Sequence, residues 1–178
     1  GDPRFVQMQE YQPPEGPAWA REAAQRWISL NGFTPTVDDI VVTSGAQHAL
    51  LAVVSSIIEP GDVVVSDRLT YYGLKALAAM FRFRIVGVGM DAEGLSASEL
   101  EAVCSRESVR AVFTTPSMHN PSVVTMSERR RRELVEVCER HDIVIIEDDV
   151  YGPMLGERAP ALITLAPKSS KQVEAALD

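Results

Sequence analysis

The chain has 178 residues and a formal net charge of -8, and 46% of its residues are hydrophobic. This length supports one domain with a sizeable core, and the composition is ordinary for a globular protein. The acidic balance disfavours nucleic-acid binding by this segment, because such binding needs a basic face. No apolar run approaches the roughly 20 residues that span a bilayer, and the N-terminus lacks a secretory pattern. We therefore predict a cytoplasmic protein without a membrane contact.

The predicted elements alternate along the chain after an extended arm at residues 1–16. Helices are predicted at Ala18–Leu30, Ala46–Ile58, Tyr71–Phe81, Ala97–Arg106 and Ser127–His141. Strands are predicted at Ile40–Thr43, Val63–Ser66, Arg84–Val88, Arg110–Thr114 and Ile143–Glu147. Strands separated by helices of this length indicate βαβ units. We expect an α/β fold of three α/β/α layers with a mostly parallel sheet.

The last residues differ from this alternation. Ala159–Pro167 is loop-like, and Ser169–Asp178 is typical of the start of a helix. We therefore expect the domain to stop before its sheet is complete. We predict an arm and helix over residues 1–35, a partial large domain over 36–167, and a piece of a smaller C-terminal domain over 168–178.

Cysteines and arginines suggest sites but have simpler interpretations. Cys104 and Cys138 both fall in predicted helices, where small core residues in a reducing compartment are expected. We predict neither a disulfide nor a metal site. The run Arg129–Arg132 opens a helix in which arginines and glutamates recur at helical spacing. That spacing favours a solvated helix face over a nucleic-acid patch.

The segment Ile143–Tyr151 is the most informative part of the chain. Four apolar residues in a row indicate a strand buried on both faces, and Glu147, Asp148 and Asp149 follow it directly. In open α/β sheets, ligands bind beyond the carboxyl ends of the strands. A carboxylate fixed at a buried strand end needs a cation or several donors. We therefore expect Asp148 and Tyr151 to contact a ligand that carries a positive charge.

Three other loops also follow predicted strands. Thr43–Leu50 opens a helix and could hold a phosphate, or it is a tight turn with Ser44 as the N-cap. Asp67–Gly73 carries two tyrosines that could stack on a flat ligand or simply pack. Thr114–Ser122 holds Asn120 before a proline, which could present its amide or form a polar turn. All four loops are predicted to meet at one edge of the sheet, which favours a shared ligand site.

In this order, the segments resemble the fold-type-I pyridoxal-phosphate (PLP) enzymes of the aspartate aminotransferase superfamily. The likeness is strongest to the aminotransferase-like domain of GntR/MocR-type transcriptional regulators. It covers nearly all of residues 5–165. The residues that carry it are Tyr11, Gly16, Thr43–Gln47, Thr70–Gly73, His119–Pro121, Thr125–Ser127 with the following arginines, and Glu147–Tyr151.

The resemblance implies roles for individual residues. The backbone around Gly45, Ala46 and Gln47 would hold the cofactor phosphate, and Tyr71 would stack on the pyridine ring. Asn120 and Tyr151 would hydrogen-bond the phenolic oxygen of the ring, and Asp148 would pair with the protonated ring nitrogen. Tyr11 and Gly16 would lie near the substrate. Asp149 and Glu147 would be structural, and His119 is either a ligand neighbour or a turn residue.

The family also needs a lysine that forms a Schiff base with the cofactor. Ser169–Lys171 resembles its usual setting, but the residues after Lys171 do not fit, and Lys171 follows Asp148 too closely. We predict that the lysine segment is missing, so that this chain alone is inactive as a transaminase. Lys171, and still less Lys168, is the remaining candidate.

The resemblance leaves three functional hypotheses. The first is a PLP-binding effector module of a GntR/MocR-type regulator, which binds an amino-acid-like molecule and reaches DNA through a separate domain. The second is a stand-alone amino-acid aminotransferase that uses a 2-oxo acid. The third is a scaffold that has lost PLP binding. Either of the first two would imply a homodimer.

Overall fold

A computed structural model describes residues 8–29 and 33–166 and the backbone of residues 172–175. The helices are α1 (Ala18–Ile28), α2 (Ala46–Ile57), α3 (Tyr72–Phe81), α4 (Ala97–Cys104), α5 (Glu128–Arg140) and α6 (Leu162–Leu165). The strands are β1 (Val63–Asp67), β2 (Arg84–Val88), β3 (Met90–Asp91), β4 (Gly94–Leu95), β5 (Val109–Thr114), β6 (Val144–Asp148) and β7 (Gln172–Ala175). Short 3₁₀ turns lie at Val37–Asp39 and Gly152–Met154. None of the described helices is long and apolar enough to cross a membrane.

Five strands form one parallel sheet in the order β2-β1-β5-β6-β7, and β3 pairs with β4 in a small antiparallel hairpin. The chain runs outward from β1 to β2, returns across β1 to β5, and then continues outward. The direction therefore reverses between β1 and β5, which is where ligands bind in open α/β sheets.

Helices cover both faces of this sheet, which confirms the predicted three-layer fold. Successive residues of a strand point to opposite faces, so Val64 and Val65 enter different cores. The core that contains Val64 packs against α2 and α3 and includes Leu50, Val54, Leu74, Leu77, Phe113 and Ile146. The core that contains Val65 packs against α4, α5 and α6 and includes Leu100, Val112, Leu134, Ile145 and Leu162.

The strand predicted at Ile40–Thr43 is wrong. These residues are extended, but none of the described strands pairs with them. Val41 and Val42 are exposed, and the N–H of Val42 donates instead to the carbonyl of Glu15 at 2.9 Å. β-branched residues favour a strand only where a neighbouring strand supplies hydrogen bonds and packing.

The helix predicted over Ser169–Asp178 is also wrong where the structure describes it. Gln172–Ala175 forms β7, which lies beside β6 in parallel register from Ile145–Gln172 to Asp148–Ala175. The backbone hydrogen bonds that β7 makes with β6 outweigh the helical propensity of these residues. The division of the chain into three domain segments stays a prediction.

The arginine run is solvated only in part. Arg129 and Arg132 are exposed and pair with nearby glutamates, as the helical spacing predicts. Arg130 is buried against the carboxylate of Asp91, and Arg131 is 1% exposed in the interior. The exposed-face prediction therefore fails for two of the four arginines, because α5 turns these two toward β3 and β6.

Candidate active site

One cavity of about 290 Å³ opens at the carboxyl edge of the sheet. It is lined by Ser44, Gly45, Ala46, Gln47, Tyr71, Asn120, Asp148, Val150 and Tyr151. All seven residues predicted to hold the cofactor are in this set. They come from four separate loops, so the convergence predicted from the order of strands is present in the structure.

The floor of the cavity is the N-terminus of α2. Gly45 is the N-cap, with a φ of 92° that favours glycine, and its carbonyl accepts a hydrogen bond from the Thr43 hydroxyl at 3.2 Å. The alternative prediction of Ser44 as the N-cap is wrong. The N–H of Ser44 donates to Nδ1 of His48 at 3.1 Å. A helix start of this kind concentrates N–H groups and partial positive charge, which suit a phosphate.

An aromatic side chain forms one side of the cavity. Tyr71 is the N-cap of α3, and its ring lies 4.9 Å from that of Tyr72, at a tilt of 55°. Gly73 allows the side chains of Gln47 and Tyr71 to approach its backbone closely, because a Cβ at this position would collide with Oε1 of Gln47 and the ring of Tyr71. The role of Gly73 was not predicted, although the aromatic-glycine sequence was a visible signal.

The loop that holds Asn120 is closed by its own backbone. The N–H of His119 donates to the Val124 carbonyl at 2.8 Å, and the N–H of Val123 donates to the His119 carbonyl at 2.6 Å. The peptide bond between Asn120 and Pro121 is cis. These contacts fix the segment on either side of Asn120 at the mouth of the cavity.

Asp148 ends β6, and Tyr151 begins the 3₁₀ turn that follows. The N–H of Val150 donates to Oδ1 of Asp148 at 3.4 Å. Asp149 is buried below this turn with Nη1 of Arg158 3.7 Å from its carboxylate, and a Cβ on Gly152 would collide with that carboxylate. Asp149 therefore points into the protein beneath this turn, whereas Asp148 lines the cavity.

A buried guanidinium ties the two halves of the site together. Arg131 donates to the carbonyls of Pro116, Met126 and Pro160 and to the hydroxyl of Ser117, at 3.0–3.3 Å. Its Nη1 also lies 3.5 Å from Oε1 of Glu147. Because Pro116 and Met126 flank the Asn120 loop and Glu147 precedes Asp148, this network sets the distance between two walls of the cavity.

A second buried pair lies at the end of β1. Asp67 is 1% exposed and accepts a hydrogen bond from the Thr114 hydroxyl at 3.0 Å. Nε2 of His119 lies 3.7 Å from the same carboxylate. Burial raises the pKa of Asp67 to about 6 and lowers the pKa of His119. Asp67 was given no role in the predicted site, and His119 was predicted to be either a ligand neighbour or a turn residue.

The remaining predicted residues lie away from the cavity. Tyr11 is fully exposed, and Gly16 packs against Val42, two residues before Ser44. Neither lines the cavity. Lys171 and Lys168 fall outside the described residues, as does the rest of the predicted lysine segment. Among the described residues, no cluster of histidine, cysteine or acidic side chains could hold a metal ion.

The sequence profile of aminotransferase class I and II matches residues 4–175. The chain belongs to this family. Members of the family are PLP-dependent, act on amino acids and typically form dimers. The family resemblance and the three-layer fold predicted from the sequence are therefore confirmed.

Curated relatives in the family are of two kinds. The uncharacterised HTH-type transcriptional regulator YdeF of Bacillus subtilis (strain 168) is 32% identical over 84% of this chain and 32% of its own length. Aromatic-amino-acid aminotransferase 1 of Thermococcus litoralis is 34% identical over 65% of this chain and 29% of its own length. The chain thus spans about a third of the length of these relatives.

Solved structures of family members superpose well on the chain. An archaeal alanine:glyoxylate aminotransferase gives a TM-score of 0.89 at 27% identity, over 98% of this chain and 44% of its own. Kynurenine aminotransferase of Pyrococcus horikoshii gives 0.88 at 26% identity, over 97% and 44%. The chain therefore corresponds to less than half of each of these enzymes.

Proposed function

We propose that this chain is the PLP-binding part of an aminotransferase-like effector module in a GntR/MocR-type transcriptional regulator. The observation that carries the proposal is the single cavity that collects the seven predicted cofactor residues from four loops. An amino-acid-like molecule is the proposed second ligand. DNA contact belongs to a separate domain, since this segment is acidic.

The residues around the cavity fit PLP in charge and shape. The start of α2 at Gly45, Ala46 and Gln47 suits the phosphate, and Tyr71 offers a ring for stacking. Asp148 also lines the cavity, and its carboxylate would pair with a protonated ring nitrogen. PLP when bound would supply an electron sink.

Asn120 and Tyr151 offer an amide and a phenol at the same mouth, which suit the phenolic oxygen of the ring. They come from the loops after β5 and β6. The contacts of Arg131 with Pro116 and Met126 hold the loop after β5, and the contact of Arg158 with Asp149 holds the loop after β6. This arrangement favours a preorganised binding site over one that forms only when the ligand arrives.

The regulator assignment is supported by how much of the chain its relatives share. The HTH-type regulators among the relatives match 77–84% of this chain. The aminotransferases match 64–70%. A stand-alone amino-acid aminotransferase is the second candidate, favoured by the 34% identity to the Thermococcus litoralis enzyme. A cytoplasmic location and a homodimer accompany either candidate as proposals.

The cofactor proposal is tested by titrating pyridoxamine 5'-phosphate, which cannot condense with surface lysines, into the chain by calorimetry. We expect binding by the native chain and a loss of at least about tenfold in Asp148→Asn, the scale of one charge-assisted hydrogen bond. Asp38→Asn is the matched control, because that side chain is 95% exposed on the turn before Ile40. Absence of binding by the native chain, or equal affinity in Asp148→Asn, would contradict the proposal.

The choice between regulator and enzyme is tested on the parent gene and its product. A helix-turn-helix region encoded before Gly1, with amino-acid-dependent DNA binding by the whole protein, is the expected result. Rapid transamination by a whole protein that lacks such a region would favour the aminotransferase instead.

A further inference from the structure

Asp67 and His119 lie directly behind the loop that carries Asn120. Asp67 ends β1 and Thr114 ends β5. Asp67 and Thr114 therefore lie between β1 and β5, where the order of the strands changes direction. The side chains of Asp67 and His119 are both buried, at 1% and 3% exposure. Neither lines the cavity, yet His119 immediately precedes Asn120, which does.

The ring of His119 holds the loop through its other nitrogen. Nδ1 lies 2.8 Å from the hydroxyl of Ser122 and accepts the Ser122 N–H at 3.4 Å. The backbone of His119 bonds to Val123 and Val124. The ring and the backbone of His119 together therefore fix the loop from His119 to Val124, which contains Asn120. The orientation of the imidazole thus determines the orientation of this loop.

The other ring nitrogen of His119 faces the carboxylate of Asp67. Nε2 lies 3.7 Å from Oδ2 of Asp67, and the backbone of Leu69 is a further hydrogen-bond partner of the ring. The carboxylate in turn is oriented by the Thr114 hydroxyl.

Asp67 is an expensive residue at this position. Its Oδ1 has no hydrogen-bond partner among the described residues, although the atom is buried. Buried polar atoms are normally satisfied, and leaving one unpaired costs stability. A residue that destabilises the fold at a site edge is typical of a functional constraint.

We propose that Asp67 is a positioning residue, which orients the imidazole of His119 and thereby holds the side-chain amide of Asn120 at the cavity. The inference rests on the proposed cofactor function of that cavity. It extends the function by a residue that does not touch the ligand. Thr114 belongs to the same chain of contacts, because its hydroxyl fixes the carboxylate.

The test uses two readouts on the intact chain. The first is the NMR signal of the Asn120 side-chain amide without any ligand, and the second is the affinity for pyridoxamine 5'-phosphate. In Asp67→Asn we expect the amide signal to shift or broaden and the affinity to fall about tenfold, the scale of one hydrogen bond. The unfolding midpoint is expected not to fall, since a buried carboxylate with one unsatisfied oxygen has been removed.

A matched pair of variants keeps the proposal falsifiable if Asp67→Asn folds poorly. Thr114→Ser keeps the hydroxyl and should leave both readouts unchanged, whereas Thr114→Val removes it and should reproduce the change in the Asn120 signal and the loss of affinity. An unchanged Asn120 amide signal in Asp67→Asn and Thr114→Val overturns the proposal. A loss of affinity that is fully explained by a loss of folding stability also overturns the proposal.

The two proposals fail in different ways. If the native chain does not bind pyridoxamine 5'-phosphate, the cofactor proposal fails, and the ligand-free Asn120 signal still decides whether Asp67 positions the loop. If the native chain binds and the Asn120 signal is insensitive to Asp67, only the positioning proposal fails.

Discussion

Two buried charged centres flank the Asn120 loop, and they are satisfied to very different degrees. Arg131 has five hydrogen-bond acceptors, including Glu147. Asp67 has the Thr114 hydroxyl on one oxygen, His119 at 3.7 Å, and no hydrogen-bond partner for the other oxygen among the described residues. The Arg131 centre therefore has many hydrogen-bond partners, whereas one carboxylate oxygen of the Asp67 centre has none among the described residues.

The difference separates a structural centre from a functional one. A fully paired buried charge makes the surrounding loops rigid, and its loss leaves several groups unsatisfied. A poorly paired carboxylate lowers the stability of the folded state, so its presence needs another reason. We therefore expect substitutions at Arg131 to destabilise the fold and a substitution at Asp67 to stabilise it at neutral pH.

The largest effect is expected for Arg131→Met. Removal of the guanidinium takes one partner from the buried carboxylate of Glu147 and from several buried carbonyls, at a cost of about 3–5 kcal/mol in the free energy of unfolding. Urea denaturation followed by circular dichroism measures this loss. Arg132→Met is the control, because its exposed pair with Glu128 contributes less than about 1 kcal/mol. Equal losses in both variants would remove the distinction between the two centres.

The second effect concerns pH and has the opposite sign. The folded-state pKa of Asp67 is raised from 3.8 to about 6. The folded protein therefore holds this proton more tightly than the unfolded chain, and the resulting stability is present below pH 3.8 and lost as pH rises through 6. Asp67→Asn does not titrate, so we expect it to gain about 3 kcal/mol relative to the native chain between about pH 4 and pH 7.

Denaturation of both proteins at the two pH values measures this difference. A gap in unfolding free energy that does not widen with pH would show that the Asp67 carboxylate is well paired after all. The contrast with Arg131 would then disappear. The tenfold loss of affinity expected for Asp67→Asn could then no longer be explained by a residue that supports binding and lowers stability.

The smallest effect tests the helix that carries Arg131. The Ser127 hydroxyl caps α5 by accepting the N–H of Arg130 at 3.3 Å. Ser127→Ala should cost about 1 kcal/mol in the free energy of unfolding. Ser127→Thr keeps the hydroxyl and should restore most of it. A cost near that of Arg131→Met would mean that the cap, and not the buried network, positions the helix.

Much of the fold could be predicted because buried parallel strands have continuous apolar sequences. Val63–Ser66 and Ile143–Glu147 were predicted to within one residue at each end. Ile40–Thr43 has the same β-branched composition but no described partner strand, so composition misled there. Gln172–Ala175 was missed for the converse reason, since a helical composition gained a strand partner in β6.

The site divides in the same way. Gly45, Tyr71, Asn120 and Asp148 could be predicted because each follows a strand and matches a known order of residues. Gly73 was missed as a packing requirement, because only the folded chain brings Gln47 and Tyr71 against it. The roles proposed for the cofactor residues stay proposals until the titrations are made.

The sequence by itself determined the alternation of elements and the side chains placed after each strand, because both depend on local patterns of burial and turns. Tertiary structure decided which two of the four arginines are buried, why Gly73 cannot carry a Cβ, and that Oδ1 of Asp67 has no hydrogen-bond partner among the described residues. These outcomes depend on contacts such as Asp67 with Thr114, 47 residues apart in the chain. Their energies depend on burial and on the number of partners, which local sequence does not encode.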